Sequence, residues 1–422
     1  MGSKRWNKLG IILTVVKLII ILGVVASIHE FGHFIFAKLF KMKVDEFAIG
    51  FGKAIWSKEY KGTKFSLRCL PLGGYCAIDG EEGESDNEAA FCNKAWWKRI
   101  IVLVAGVTFN AILATILFVS INLPGDTYTN VVTDIDETSI AYELGLRNGD
   151  KITKINNRNV NIMQDISSFT DVSKDEITIK YERDNKEYTI TTDELIKKVG
   201  YIGVYFNASA EEITSKIDMV EGGSEAQEAG LKSGDVIKSI NGKETKFSTD
   251  VINIVQVNAD KELELVYERN GEEYTVKITP NVKKVFAIGN FSTEKVDTNI
   301  YYAFCKAGTS IKQIIGSYVD LFKGNVSVNQ LSGIVGMGEV VSKTEGILEF
   351  LNLMAIISMA VGVANILPFP PLDGGKVVLV LAEAITRKKV SYKLEAILSY
   401  LGLALLIGLT LYVTYNDIVR IF

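Results

Sequence analysis

The sequence predicts a membrane protein with about four transmembrane helices, a β-hairpin or small sheet on the cytoplasmic side, and two tandem β-rich domains outside the membrane. Three observations predict this fold class. Four apolar stretches have membrane-spanning length, a long polar segment separates the second from the third, and charge is divided unevenly between the two parts. Residues 125–300 hold 32 acidic and 21 basic side chains, a net charge of −11, while the rest hold 18 acidic and 25 basic, a net charge of +7.

An acidic polar insert in a basic apolar frame indicates which partners to expect. Membrane lipids should surround the apolar frame. We expect no nucleic-acid partner, because the formal net charge of the whole chain is −4 and the polar insert is its acidic part.

The four candidate spans cover roughly residues 9–40, 100–123, 347–367 and 394–413. Basic residues precede the first run, as they do in a secretory signal peptide. However, the apolar run is too long for a signal peptide and no small-residue cleavage site follows it. We therefore expect a first helix that is retained in the protein.

Basic loops predict the orientation of these spans. The loop 41–99 carries ten Lys and Arg residues, and the connection after the third span carries four more between 387 and 393. Both should be cytoplasmic by the positive-inside rule. The insert and both termini should then lie outside.

The first span contains the two histidines of the chain, in the sequence His29-Glu30-Phe31-Gly32-His33. On a helix this spacing puts both imidazoles on one face, where they can bind one zinc ion, with Glu30 beside them as general base. The pattern H-E-x-x-H also arises by chance. Ionisable groups in an apolar span are costly, however, and the chain has no other histidine, so we interpret the motif as a metal site for peptide hydrolysis.

In the loop after the first span, apolar residues alternate or cluster between glycines over 47–52, 55–60 and 64–70, and the loop ends in Pro71-Leu72-Gly73-Gly74-Tyr75. This pattern predicts a β-hairpin or small sheet near the mouth of the active site. An interfacial loop without substrate contact is an equal alternative.

The insert contains an internal repeat, because residues 141–156 recur at 226–241 with Gly-Leu, Gly-Asp and Ile-Asn at the same spacing. Each copy is followed by a hairpin-like run, which predicts two β-rich domains in tandem. These copies resemble PDZ domains of the bacterial protease type, which bind extended peptides by β-augmentation. Residues 200–204 resemble the carboxylate-binding loop of the first copy and residues 286–290 that of the second. Steric packing without a ligand is an equal alternative.

Beyond the insert, apolar residues at helical spacing over 300–323 predict an amphipathic helix along the outer leaflet.

The third span ends in Asn365-Ile366-Leu367-Pro368-Phe369-Pro370-Pro371-Leu372-Asp373-Gly374-Gly375, which holds three of the chain's six prolines. Irregular backbone at membrane depth is tolerated where it lines a cavity. A buried carboxylate needs a cation and the histidine pair needs a third ligand, so assigning Asp373 to the metal satisfies both.

Together these motifs resemble the site-2 protease family of intramembrane zinc metalloproteases, specifically the bacterial RseP type, over essentially the whole chain. The resemblance implies a Zn²⁺ cofactor held by His29, His33 and Asp373, with Glu30 as catalytic acid/base. It implies that Asn365 helps to hold the substrate or the developing oxyanion.

The resemblance also assigns a second asparagine, Asn110, to the substrate or transition state, less directly than Asn365. The family pattern G-P-x-x-N of the second span appears here as Gly106-Val107-Thr108-Phe109-Asn110, with Val107 where proline is usual. A helix-packing amide is the alternative interpretation of Asn110.

The resemblance also implies a function. Family members cleave single-span membrane proteins in or near their spanning helices, often after a site-1-type protease has cut first, in regulated intramembrane proteolysis. Their substrates include anti-sigma factors and signal-peptide remnants, and the implied location is the bacterial cytoplasmic (plasma) membrane. A catalytically silent scaffold that recruits peptides is the alternative, but a scaffold has no reason to keep metal ligands in lipid.

The predicted domains are the first transmembrane helix with its HEFGH motif, a membrane-associated β loop, the second transmembrane helix, two PDZ-like domains, an amphipathic linker, and the last two transmembrane helices with the Asp373 motif. Their predicted bounds are 1–43, 44–95, 96–124, 125–210, 211–295, 296–345 and 346–422.

Overall fold

A computed structural model of the chain describes residues 8–170, 172, 174–206, 214–324 and 333–421. Two compact units emerge, one built from Met1–Pro124, Lys306–Val319 and Ser332–Phe422, and the other from Gly125–Cys305 and Asp320–Leu331. The basic residues Lys4 and Arg5 and part of the predicted linker, residues 325–332, lie outside the described residues.

Eleven α-helices occur in the described residues. They are α1 (Lys8–Leu39), α2 (Trp96–Asn122), α3 (Ile140–Glu143), α4 (Met163–Ser167), α5 (Glu225–Glu228), α6 (Ser248–Val257), α7 (Ile300–Phe322), α8 (Ile334–Lys343), α9 (Ile347–Asn365), α10 (Asp373–Thr386) and α11 (Tyr392–Ile421).

Sixteen strands occur in the same described residues. They are β1 (Val44–Tyr60), β2 (Thr63–Ile78), β3 (Asp126–Ile135), β4 (Lys151–Ile155), β5 (Arg158–Asn159), β6 (Ile177–Arg183), β7 (Lys186–Thr192), β8 (Ile196–Tyr201), β9 (Val204–Phe206), β10 (Ile217–Val220), β11 (Val236–Ile240), β12 (Lys243–Glu244), β13 (Leu263–Arg269), β14 (Glu272–Ile278), β15 (Asn281–Phe286) and β16 (Phe291–Asp297).

The four predicted spans are confirmed as helices long and apolar enough to cross a membrane: α1, α2, α9 and α11. Apolar residues cover them on all sides, as expected for segments whose solvent is lipid. The first unit is therefore a multi-pass membrane domain. An additional helix, α10, lies between the third and fourth spans, and Asp373 is its first residue.

The hairpin of β1 and β2 forms a small sheet in which β1 bends and pairs twice. Phe47 lies opposite both Phe65 and Cys76, so the first half of β1 runs between the two ends of β2. Glycines 50 and 52, with φ of 87° and 82°, allow the bend. The second half of β1 then pairs with 63–68 and leaves an exposed outer edge.

The carboxylate of Glu46 links the strands of this sheet. Burial opposes the charge of Glu46, but hydrogen bonds from Ser66, Arg68 and Tyr75 outweigh it and lower the pKa of Glu46 to about 2. The distance from Arg68 Nη2 to Glu46 Oε1 is 2.8 Å. The charged network joins β1 to both halves of β2.

The two copies of the repeat fold alike. In each copy the Asp of the Gly-Asp turn is buried and receives two hydrogen bonds from an Arg at the end of a later strand. Arg183 Nε and Nη2 lie 2.6 and 2.7 Å from the Asp150 carboxylate, and Arg269 repeats this at 2.7 and 2.8 Å on Asp235. Such bidentate pairs hold the turn against the sheet.

The predicted tandem order of the two copies is wrong. Strands β8 and β15 pair antiparallel, so the chain crosses from the first copy to the second along β8 and returns along β15. Strand β16 then pairs with β3 at the start of the insert. The second copy is thus nested within the first, and the predicted boundary at 210/211 divides the second copy instead of separating the two.

Nesting also exchanges the two predicted loops. The backbone N–H of Ala226, in the second copy, donates to Ile202 O at 2.9 Å, and that of Ala141, in the first, donates to Ile288 O at 3.2 Å. Ile202 belongs to the second apolar core and Ile288 to the first. Residues 200–204 therefore serve the second copy and residues 286–290 the first, the reverse of the prediction.

The buried ion pair makes a testable prediction. Replacing Arg183 by Leu leaves the fully buried Asp150 carboxylate without its cation, so the free energy of unfolding of the first copy should fall by about 3 kcal/mol. Hydrogen exchange of the β4 and β6 amides in the detergent-solubilised chain measures this. Lys180→Met, which breaks an exposed pair with Glu187, should cost less than about 1 kcal/mol. Equal effects of the two substitutions would contradict the prediction.

Candidate metal centre

Three side chains that are far apart in the sequence converge in the membrane unit. His29 and His33 lie one turn apart on α1, and both are buried. Their Nε2 atoms are 3.1 Å apart. Asp373 Oδ2 lies 3.0 Å from His29 Nε2 and 3.5 Å from His33 Nε2. The structure therefore brings together the three residues predicted as metal ligands.

The donor set fits a zinc ion. Bonds of about 2.0–2.1 Å in a tetrahedral site separate the ligand atoms by roughly 3.3 Å, and the three observed separations lie on both sides of that value. His33 Nδ1 lies 2.8 Å from the carbonyl oxygen of Val102. By donating its Nδ1 proton there, His33 keeps the lone pair of Nε2 directed at the cluster, as a zinc ligand requires.

A glycine on α2 makes room for the cluster. A Cβ atom on Gly106 would lie 2.5 Å from His33 Nε2 and 2.7 Å from His29 Nε2. Gly32 has a similar part on α1, since its Cβ would lie 2.5 Å from Ala105 O. The two helices can approach closely at the level of the histidines because neither glycine has a side chain.

Gly106 is a site residue to which the sequence analysis gave no role. It is the first residue of the Gly106-Val107-Thr108-Phe109-Asn110 motif, of which only Asn110 was predicted to be a site residue. The available signal was the spacing, because residues four apart share one helix face. Asn110 is also buried, with Nδ2 3.3 Å from His29 Nδ1.

The chain before Asp373 packs tightly against the start of α10. A Cβ on Gly374 would lie 2.1 Å from Ile366 O, and one on Gly375 would lie 2.1 Å from Pro370 N. These glycines allow the proline-rich segment to fold back on the helix whose first residue is Asp373. Asn365 is the half-buried last residue of α9, and its role stays a prediction.

Glu30 is held by the hairpin. Its Oε2 accepts a hydrogen bond of 2.9 Å from the backbone N–H of Cys76 on β2. Glu30 directly follows His29 on α1, so the β2 backbone fixes a carboxylate next to the cluster. The predicted sheet therefore lies beside the candidate catalytic residue.

Comparison with known proteins identifies the chain. Residues 17–409 match the model of peptidase family M50. The chain belongs to this family. The protein named Zinc metalloprotease RasP from Bacillus licheniformis is 29% identical over 97% of this chain and 99% of its own length. The protein named "Probable protease eep" from Enterococcus faecalis is 30% identical over the same shares of both chains.

Membership of M50 confirms the resemblance to site-2 proteases and makes the chain a site-2-type metalloendopeptidase. Among solved structures, the PDZ domain of HtrA3 matches 21% of this chain and 92% of its own length at 19% identity, with a TM-score of 0.19. A score of that size leaves the domain type of the insert to be argued from the chain itself.

Gly106 provides a test of this M50 site. In Gly106→Ala a methyl group would displace the two Nε2 atoms, so we expect the purified protein to lose most of its bound zinc and its cleavage activity. Zinc per chain by atomic emission measures the effect. Gly408→Ala on α11, whose Cβ would meet nothing within 4 Å, is the matched control and should keep both. Full zinc content in Gly106→Ala would show that the imidazoles do not need this space.

Proposed function

We propose that this protein is a zinc-dependent intramembrane endopeptidase that cleaves single-span membrane proteins in or near their spanning segments. The observation that carries the proposal is the convergence of His29, His33 and Asp373 beside Glu30 at membrane depth. The cofactor is Zn²⁺, which fits two imidazoles and one carboxylate with a fourth position for water or substrate.

Glu30 does the proton transfers in this mechanism. When bound, zinc polarises the scissile carbonyl and lowers the pKa of the attacking water. Glu30 takes a proton from that water and later gives it to the leaving amine. The N–H of Cys76 orients the carboxylate, so one oxygen is held while the other is left for the proton. Asn365 is proposed to hold the substrate or the developing oxyanion.

The substrate must unwind, because a helix hides its carbonyls in i to i+4 hydrogen bonds. We propose that the unwound substrate strand pairs with residues 71–76 of β2. Support comes from the ladder with β1, which pairs Leu70 and Gly74 but skips the three residues between them. Cys76, at the end of this stretch, contacts Glu30. A peptide paired here by β-augmentation would lie next to the catalytic carboxylate.

The insert consists, in this proposal, of two PDZ-like domains outside the membrane. Each copy has a glycine-containing loop, formed by residues 200–204 or 286–290. In each loop the carbonyl oxygen of an isoleucine, Ile202 or Ile288, accepts a hydrogen bond from the backbone of a short helix in the same copy. Whether this pair binds peptide ends or acts as a steric filter, it would select substrates whose outer part has been removed. That order fits a preceding cut by a site-1-type protease, with anti-sigma-factor-like proteins and signal-peptide remnants as substrates of regulated intramembrane proteolysis.

The basic loops support one orientation. With ten Lys and Arg residues in 41–99, that loop and the hairpin face the cytoplasm. Both termini and the insert lie on the outer side of the bacterial plasma membrane. The predicted domain bounds are kept in this proposal except at two places. The boundary at 210/211 divides the second copy, and the boundary at 295/296 divides β16.

The catalytic assignment is tested with Glu30→Gln. This variant keeps the size of the side chain and removes its base, so we expect zinc content to stay at the wild-type level and cleavage of a model single-span substrate to fall by about 10²- to 10⁴-fold. Substrate cleavage in detergent and zinc per chain are measured together. Zinc without Glu30-dependent cleavage would favour the scaffold alternative.

The proposed strand is tested at Leu72, whose side chain is half-exposed. Leu72→Pro removes a backbone N–H, while Leu72→Ala keeps it and serves as the control. Loss of one hydrogen bond of about 1 kcal/mol predicts a five- to tenfold lower kcat/KM for Leu72→Pro than for Leu72→Ala. Equal kcat/KM values would remove residues 71–76 from the substrate site.

A further inference from the structure

Two features of the Asn110 side chain are not explained by a role in binding substrate. The side chain is fully buried on α2, with its Nδ2 3.3 Å from His29 Nδ1. Its Oδ1 is buried too and has no hydrogen-bond partner among the described residues. A buried amide oxygen without a donor is costly, so we expect the amide to adopt the orientation in which this oxygen has a donor.

The chemistry of His29 supplies the missing donor. The Nε2 of His29 faces Asp373 and His33, so in the proposed zinc enzyme this nitrogen must keep its lone pair for the metal. The proton of the neutral ring then sits on Nδ1, which becomes a donor. A donor Nδ1 cannot bond the Nδ2 of Asn110, which is itself a donor. Rotating the amide by 180° exchanges its two ends and puts Oδ1 against Nδ1–H.

We propose that Asn110 is a positioning residue for the metal centre, accepting the Nδ1 proton of His29 on its Oδ1 and so fixing the tautomer and the direction of the ring. The proposal rests on the proposed zinc function. It gives each histidine an acceptor for its outer nitrogen, because His33 has the Val102 carbonyl. It also gives a reason for the shared helix face of Gly106 and Asn110, because Gly106 leaves space for both imidazoles and Asn110 contacts His29.

Two contacts with α9 lie at Asn110 but do not involve its side-chain amide. Ser358 Oγ on α9 donates to the backbone oxygen of Asn110 at 2.9 Å. Gly362 lies one turn further along α9, and a Cβ there would be 3.4 Å from the Asn110 Cβ. Asn110 therefore contacts α9 through its backbone oxygen and Cβ, and its amide faces His29 on α1.

The experiment measures the zinc dissociation constant of the full chain in detergent by competition with a chelator. Asn110→Leu has nearly the same size but no acceptor, and we expect it to bind zinc 10- to 100-fold more weakly. Asn110→Asp keeps an acceptor and should stay within about threefold of wild type. Ser358→Ala, the matched control, removes a buried hydrogen bond at the same place without touching His29 and should not change the constant.

Three results would overturn the proposal: wild-type affinity in Asn110→Leu, an equal loss in Asn110→Asp, or an equal loss in Ser358→Ala. Reduced cleavage in Asn110→Leu with unchanged zinc affinity would return Asn110 to the substrate. Thermal unfolding of the metal-free forms identifies variants that do not fold, and Asn110→Ala then replaces Asn110→Leu. A wild-type protein that binds no zinc would instead refute the proposed function, so the two failures are distinguishable.

Discussion

The interaction on which the membrane unit depends is the meeting of His29, His33 and Asp373 inside an apolar domain. Polar groups at this depth cannot be left to water, so each must find a partner in the protein or a cation. The requirement explains several features that would otherwise be unrelated. Gly32 and Gly106 allow α1 and α2 to touch at the level of the histidines, and Gly374 allows the proline-rich segment to fold over the start of α10.

Other charged groups of the spanning helices obey the same constraint. Asp417 on α11 accepts hydrogen bonds of 2.8 and 2.7 Å from the N–H groups of Gly333 and Gly336 at the first turn of α8. At the other end of α8, Lys17 on α1 donates to Thr344 O at 2.9 Å. A negative charge at the N-terminus and a positive one at the C-terminus both stabilise a helix dipole. The short helix α8 is therefore fixed between two spans by their charges.

What the sequence could predict follows from how local each signal is. The spans, the HEFGH face and the hairpin are encoded in runs of consecutive residues, and the structure agrees with them. Asp373 is distant, but a buried carboxylate and an incomplete ligand set each demanded the other, so its position could be inferred. The spacing of four residues indicates that Gly106 and Asn110 share a helix face, but no local pattern shows which helix packs against that face or how the Asn110 amide is oriented.

The nested insert shows the same limit in the β-rich unit. Residues 200–204 and 286–290 are similar enough in sequence that only long-range pairing decides which copy each one completes. The structure gives a physical reason for the arrangement it adopts. Pairing of β3 with β16 sets Asp126 opposite Asp297, which brings the two ends of the insert together. A domain whose ends are adjacent can be inserted between two helices without separating them. Nesting therefore lets a long insert interrupt a membrane domain whose metal ligands come from both sides of the interruption.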